Sequence, residues 1–137
     1  MSTVIEQAVQ ARLITAAPQS RAIPAALRYD RTDPLAVHLA FPPAASLDGA
    51  EVVWTFGRDL LAEGLRRPAG AGDVRIWPCG IDGAVVEFHA ADGMAVVQFA
   101  ARDLRLFLSR SYAVVEKGGE ARHLDVDGDL ANLLREA

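Results

Sequence analysis

Along the first stretch of the chain every second position faces one side: Ile5, Gln7, Val9, Ala11 and Leu13 alternate with polar or small residues. A half-buried strand shows this period of two. Val4, Ile5, Ala8 and Val9 also suit a helical face, so both readings stay open for this segment. A loop around Pro18 to Ser20 leads into an extended piece from Ile23 to Tyr29. Asp33-Pro34 marks a turn, because proline presets φ and removes a donor. Ala36 to Phe41 reads as a strand closed by Pro42-Pro43, and Asp48-Gly49 as the next turn. Val52, Trp54 and Phe56 share one face of a further strand. Leu60, Leu61 and Leu65 shift the period toward helical, which predicts a short helix over Asp59 to Glu63, with Asp59 as N-cap and Gly64 ending it.

Pro68 to Asp73 is a glycine-rich loop, followed by strands at Val74 to Trp77 and Ala84 to Phe88. Asp92-Gly93 then joins Val85–His89 to Ala95–Phe99, and Asp-Gly between apolar strands is a hairpin signal. Leu104, Phe107, Leu108, Ser111, Tyr112 and Val115 form the stripe of an amphipathic helix, which Gly118-Gly119 breaks. Leu130, Leu133 and Leu134 predict a last short helix capped by Asp127 or Asp129. The order is strands then helix, twice. Strands joined by short turns must be antiparallel, so the fold class is α+β, with helices packed on antiparallel sheet. Arg58-Asp59-Leu60 and Arg102-Asp103-Leu104 echo each other just after a strand, in keeping with two strand–helix repeats.

Composition narrows the function classes. The 137 residues, 51% hydrophobic and 23% charged, suit one globular domain with a real core. Net charge is -4 and the pI about 5.3, against the basic patch that a phosphate-backbone binder carries. Cys79 is the single cysteine, which excludes an internal disulfide and a cysteine-built zinc site. No run approaches the ~20 apolar residues of a membrane helix, and Met1 to Gln10 lacks the pattern of a signal peptide. A cytoplasmic protein is expected. Of the 14 lysine and arginine residues only Lys117 is lysine, and arginine and alanine codons are GC-rich, pointing to a high-GC bacterial genome.

Several patterns suggest chemistry and fall short of it. Asp125, Asp127, Asp129 and Glu136 match four positions of a calcium loop, but Leu130 stands where the loop needs glycine. Gly70-Ala71-Gly72-Asp73 lacks the third glycine of a dinucleotide fingerprint and leads into a strand. His38, His89 and His123 lie in separate segments without ligand spacing. Cys79, beside Pro78, reads as a packing residue rather than a nucleophile. Trp54, Phe56 and Trp77 could stack on bases, yet Trp54 and Phe56 alternate as core residues do. Arg66-Arg67 reads as solvated surface. No enzyme, metal or cofactor is expected.

Three blocks carry a family resemblance. Ala26–Phe41 contains Leu-Arg-Tyr-Asp and Asp-Pro-x-Ala-Val; Trp54–Leu65 reads WTFGRDLLAEGL; Gly70–Pro78 reads GAGDVRIWP. In order and spacing they resemble the SsgA-like family, small actinobacterial proteins that control sporulation-specific cell division. The second half follows more loosely, through Asp92-Gly93, Phe107-Leu108 and Gly119-Glu120. Gly57 departs from the family's alanine, and Ala91 and Glu116 from its prolines, which leaves the paralogue open.

The resemblance implies a fold similar to the single-strand-binding "whirly" proteins and assembly as a homotrimer. It also implies a non-enzymatic role at the division septum, positioning or recruiting FtsZ or another divisome protein, or acting with a sister SsgA-like protein. Nucleic-acid binding does not carry over with the fold, because function lives in the site; a whirly-type single-stranded nucleic-acid binder is the alternative. Arg58, Asp59, Asp73 and Arg75 are the motif polar residues singled out for partner contact. An internal ion pair or a helix cap is the competing role for each.

Overall fold

The fold was obtained as a computed structural model, and it describes residues 4–14, 21–43, 49–91 and 93–122. Seven strands and two helices occur in the order β1 (Val4–Ile14), β2 (Arg21–Asp30), β3 (Ala36–Phe41), β4 (Val52–Gly57), α1 (Arg58–Gly64), β5 (Val74–Cys79), β6 (Gly83–Ala90), β7 (Gly93–Ala100) and α2 (Ala101–Val114). A 3-10 turn, Glu120–Arg122, follows. Alternation at the N-terminus resolves to strand, since Ile5, Gln7, Val9 and Ala11 are buried and their neighbours exposed. The predicted C-terminal helix and the acidic cluster from Asp125 to Glu136 lie outside the described residues.

The class is α+β. All strands pair antiparallel in one sheet of order β4-β3-β2-β1-β7-β6-β5, so the two meanders meet where β1 pairs with β7. The sheet is strongly curled. Five strand spacings separate β4 from β6 in the order, which would be about 24 Å if flat. Yet the Trp54 ring on β4 lies 4.8 Å from Phe88 on β6, and Phe41 on β3 meets the same ring edge-on at 6.0 Å. Twist accumulated across the sheet thus brings its two ends over a common core of Leu27, Leu39, Ile76, Val86, Phe88 and Val97, all 2% exposed or less. Both helices close that core: α2 buries Leu104, Phe107, Leu108 and Ser111 over β1, β7 and β6, and α1 buries Leu61 between β4 and β5.

The two strand-to-helix junctions share one geometry. Arg58 N–H donates to the Leu35 carbonyl at 2.8 Å, and Ala101 N–H donates to the Asp82 carbonyl at 2.7 Å. In each case the first helical residue reaches the residue just before the neighbouring strand. Phe56, Arg58 and Leu61 therefore correspond to Phe99, Ala101 and Leu104, one residue out of step with the Arg-Asp-Leu echo. Arg102 is exposed, whereas Arg58 is buried.

Two local expectations at α1 are corrected. Asp59 is not the N-cap: Gly57 holds that position in extended backbone without a side-chain cap, and Asp59 sits in the first turn, where its charge still complements the helix dipole. Gly64 does not end the helix as a left-handed cap; it is the last helical residue, followed by Leu65 at φ -74°. Its role is close approach, since a Cβ there would lie 2.4 Å from Ile76 Cβ.

Candidate functional site

Arg58 is the largest fully buried side chain, 1% exposed. One guanidinium nitrogen, Nη1, donates to the Val115 carbonyl at 2.7 Å, the Ser111 carbonyl at 3.2 Å and Ser111 Oγ at 3.4 Å. The other, Nη2, donates to Glu120 Oε1 at 2.7 Å and the Glu116 carbonyl at 3.4 Å. Its plane lies between two phenols, 5.0 Å from the Tyr29 ring centroid and 4.7 Å from Tyr112. A cation over aromatic faces contributes about 0.5–2 kcal/mol. Carbonyls at and just past the end of α2, among them that of Val115, which the helix itself leaves without a donor, thus receive a charged one where the dipole favours a cation. Tyr29 is held in turn by its hydroxyl, which donates to the Pro34 carbonyl at 2.8 Å.

This clasp draws on separate motif blocks: Tyr29 and Pro34 from the first, Arg58 from the second, Tyr112 and Glu120 from the C-terminal half. It ties the start of α1 to the end of α2. A second tie is Gln7, whose amide nitrogen donates to the Asp103 carbonyl at 2.9 Å and whose oxygen accepts from Arg110 at 3.1 Å. Sequence periodicity placed Gln7 on the buried face but assigned it no partner.

Of the four candidates, the internal ion pair is the role the geometry gives Arg58. Asp59, Asp73 and Arg75 are exposed. Asp73 contributes its carbonyl to His89 N–H at 2.7 Å, leaving its carboxylate outward. Arg75 stands opposite Glu87 on the outer face of β5 and β6. The structure does not bring the four together: one is inside, and Asp59 and the Asp73–Arg75 pair approach from opposite ends of the sheet.

The tempting chemistry is placed as follows. Cys79 is exposed, not packed as expected, at the last position of β5, opposite Gly83. His38 bonds Thr55 Oγ1 at 2.9 Å and Asp33 at 3.2 Å, and His89 bonds Glu87. Among the described residues no group of three metal-ligating side chains converges, and no helix is long and apolar enough to cross a membrane. Trp54 and Phe56 face inward, as their alternation predicts; Trp77 is half-buried on the outer face beside Val85. Arg66 and Arg67 are exposed, with Arg67 paired to Glu63 at 2.8 Å.

Residues 23–120 match the family model described as the Streptomyces sporulation and cell division protein, SsgA. The chain belongs to the SsgA family. It is 41% identical to the sporulation-specific cell division protein SsgB of Streptomyces coelicolor, covering all of both chains. With SsgB of Salinispora tropica it shares 44% identity over 96% of this chain and 94% of that one. A solved structure of SsgB, described in connection with mutations that correlate to longitudinal cell division during sporulation of S. coelicolor, superposes with a TM-score of 0.81 at 40% identity, covering 90% of this chain and 97% of that one. An SsgA-like sporulation-specific cell division protein from Thermobifida fusca superposes at 0.82 with 33% identity, covering 96% of each. Both share the α+β architecture of curled antiparallel sheet and two helices.

The clasp of this SsgA family member also sets its pH response. Hydrogen bonding from Arg58 holds the Glu120 carboxyl below the usual carboxylate range, and backbone and hydroxyl donors of Thr32 do the same for Asp30. Burial pushes the Tyr29 and Tyr112 phenols above their usual value. A lowered carboxyl stabilises the fold above its unfolded value of about 4 and loses that contribution as pH falls through the folded value. A raised phenol stabilises below about 10 and loses it as pH rises through its folded value. The urea midpoint is therefore expected to be flat from about pH 5 to 9 and to fall on both sides. Glu120→Gln is expected to flatten the acid limb; an acid limb as steep as wild type would contradict the assignment.

Proposed function

We propose that this chain is a non-enzymatic regulator of sporulation-specific cell division, positioning or recruiting FtsZ or another divisome protein at septum sites through protein–protein contacts. The observation that carries this reading is the 41% identity with SsgB over the full length of both chains. Its working place is the cytoplasmic side of the division septum. Its working form is a homo-oligomer with a whirly-like arrangement of strand–helix units, a trimer as the family resemblance has it. The matching junctions at Arg58 and Ala101 support the two-unit arrangement. Asp59, Asp73 and Arg75 are the motif side chains left outward for a partner, while Arg58 shapes the surface from within. Sister SsgA-like proteins are a further partner class. The inward packing of Trp54 and Phe56 removes two of three stacking candidates, so the nucleic-acid alternative finds no support here.

Co-sedimentation with GTP-polymerised FtsZ from the same organism tests the reading. The protein is expected in the pellet with polymer and in the supernatant without GTP. Equal partition in both conditions would exclude direct recruitment.

A further inference from the structure

An open sheet has two edges, and here they are treated differently. In an antiparallel pair, residues bonded to the neighbour alternate with residues whose N–H and C=O point away. His89 N–H donates to the Asp73 carbonyl at 2.7 Å. Continuing that phase along the β5–β6 register, Arg75, Trp77 and Cys79 bond to β6, while Val74, Ile76 and Pro78 face the free edge. That edge is sealed. Ile76 exchanges both of its bonds with Ala69, at 2.9 and 3.0 Å. Pro78 has no N–H, and Gly70 crowds the Val74 carbonyl so closely that a Cβ would lie 2.4 Å from it. Proline and a covering loop are the devices by which sheets block unwanted pairing.

Among the described residues strand β4 has no such protection. The Arg58 N–H to Leu35 bond fixes its phase. Along the β3–β4 register, Val52, Trp54 and Phe56 bond to β3, and Val53, Thr55 and Gly57 turn their N–H groups to the free edge. All three residues are exposed. A groove of about 400 Å³ lies along this edge, lined by Thr55, buried Phe56, Gly57 and half-buried Leu60, with Leu60 offering apolar surface and the loop from Gly70 to Asp73 forming its far wall. Asp73 lines it, and exposed Asp59 stands on the first turn of α1 between the lining residues Gly57 and Leu60. Neither is in a salt bridge among the described residues.

We infer that β4 takes an added strand from a partner protein, an extended segment in which basic and apolar residues alternate. This rests on the reading of the chain as a partner-binding adaptor and names the site. Strand addition supplies affinity through main-chain bonds and specificity through alternate side chains. Apolar side chains of the segment cover Leu60, and basic ones meet Asp59 and Asp73. A second copy of this chain, paired through its own β4 (Val52–Gly57), brings no basic side chain to meet them.

Residue-resolved amide hydrogen exchange tests this, with an acetylated decapeptide of alternating lysine and valine as probe. In the free protein Val53, Thr55 and Gly57 are expected to exchange fast and Val52, Trp54 and Phe56 slowly. The peptide is expected to slow the first three at least tenfold, and a glutamate–valine version to leave them unchanged. Fast exchange at all three with either peptide would overturn the proposal. So would slow exchange in the free dilute protein, slowing that rises with protein concentration alone, or equal slowing by the glutamate peptide. Val53→Pro removes an edge donor but no bond to β3, and Asp59→Lys with Asp73→Lys leaves the backbone intact. Each is expected to cut pelleting with FtsZ at least tenfold at unchanged melting temperature. If wild type and both variants pellet alike, the edge fails and the recruiter stands. If wild type does not pellet but the lysine peptide protects β4, the recruiter fails and the edge stands.

Discussion

Arg58→Ala is expected to lower the unfolding free energy by about 3–5 kcal/mol, the cost of breaking a buried ion pair by removing one partner. Three losses combine. Glu120 keeps a charge in a site only 8% exposed, the Val115 carbonyl loses its charged donor while that of Ser111 keeps only the Val115 N–H, and a gap opens between Tyr29 and Tyr112. Against a total of about 5–15 kcal/mol for a domain, this is a large fraction. A fall of about 10 °C or more in melting temperature is expected by circular dichroism. Arg58→Lys keeps the charge but not the planar fork that serves two helix-end carbonyls and a carboxylate at once, so it is expected to recover only part of the loss. Removing both Arg58 and Glu120 is expected to cost less than the sum of the single changes, as for any contacting pair. A loss below about 1 kcal/mol for Arg58→Ala would mean that the clasp contributes little, whatever its geometry.

Gly64→Ala is expected to destabilise by about 1–3 kcal/mol through overpacking, and the sign is the informative part. In a free helix, alanine is better than glycine by about 1 kcal/mol. Here the added Cβ would sit 2.4 Å from Ile76 Cβ, 2.5 Å from its Cγ2 and 3.0 Å from its carbonyl oxygen. Two of those atoms belong to the backbone or its first side-chain carbon, so no rotamer change clears them. The end of α1 must instead lift off β5, disturbing Leu61 and the entry to the glycine-rich loop. Urea unfolding measures the change directly. A stabilised Gly64→Ala protein would show that α1 and β5 are farther apart than the structure places them.

Much of this fold was legible because its strands and its long helix obey their periods. β1, β4 and α2 turned inward the faces that alternation and the amphipathic stripe selected. The β6–β7 hairpin formed, with Ala90 opposite Gly93, although its strands run further than the apolar residues alone required. What the pattern could not give was the curl. Trp54 against Phe88 is a contact between strands that never pair, and nothing local encodes it.

Arg58 is the instructive case. A charged residue at a helix start reads as surface, yet it lies two residues after Phe56 on a strand and three before Leu61 on a helix. Both periods point position 58 at the core. An arginine there demands several acceptors, and that demand was the available signal for a buried clasp. The partners, Glu120 and the α2 carbonyls, lie more than fifty residues away in sequence, which no spacing rule reaches. Gly64 misled for a related reason: a glycine after a short helix has two explanations, left-handed backbone or close approach, and only packing distinguishes them.

We propose a division of labour in which Arg58 holds the fold while Asp59, Asp73 and Arg75 meet a partner. Counting sporulation septa in the native host, with the gene replaced by one carrying Asp59→Lys, Asp73→Lys and Arg75→Glu, tests it most directly. The purified variant is expected to melt within about 3 °C of wild type, since exposed changes cost ~0.5 kcal/mol or less each, while the host loses most of its septa. Normal septation by this folded variant would contradict the account and move the partner surface elsewhere on the molecule.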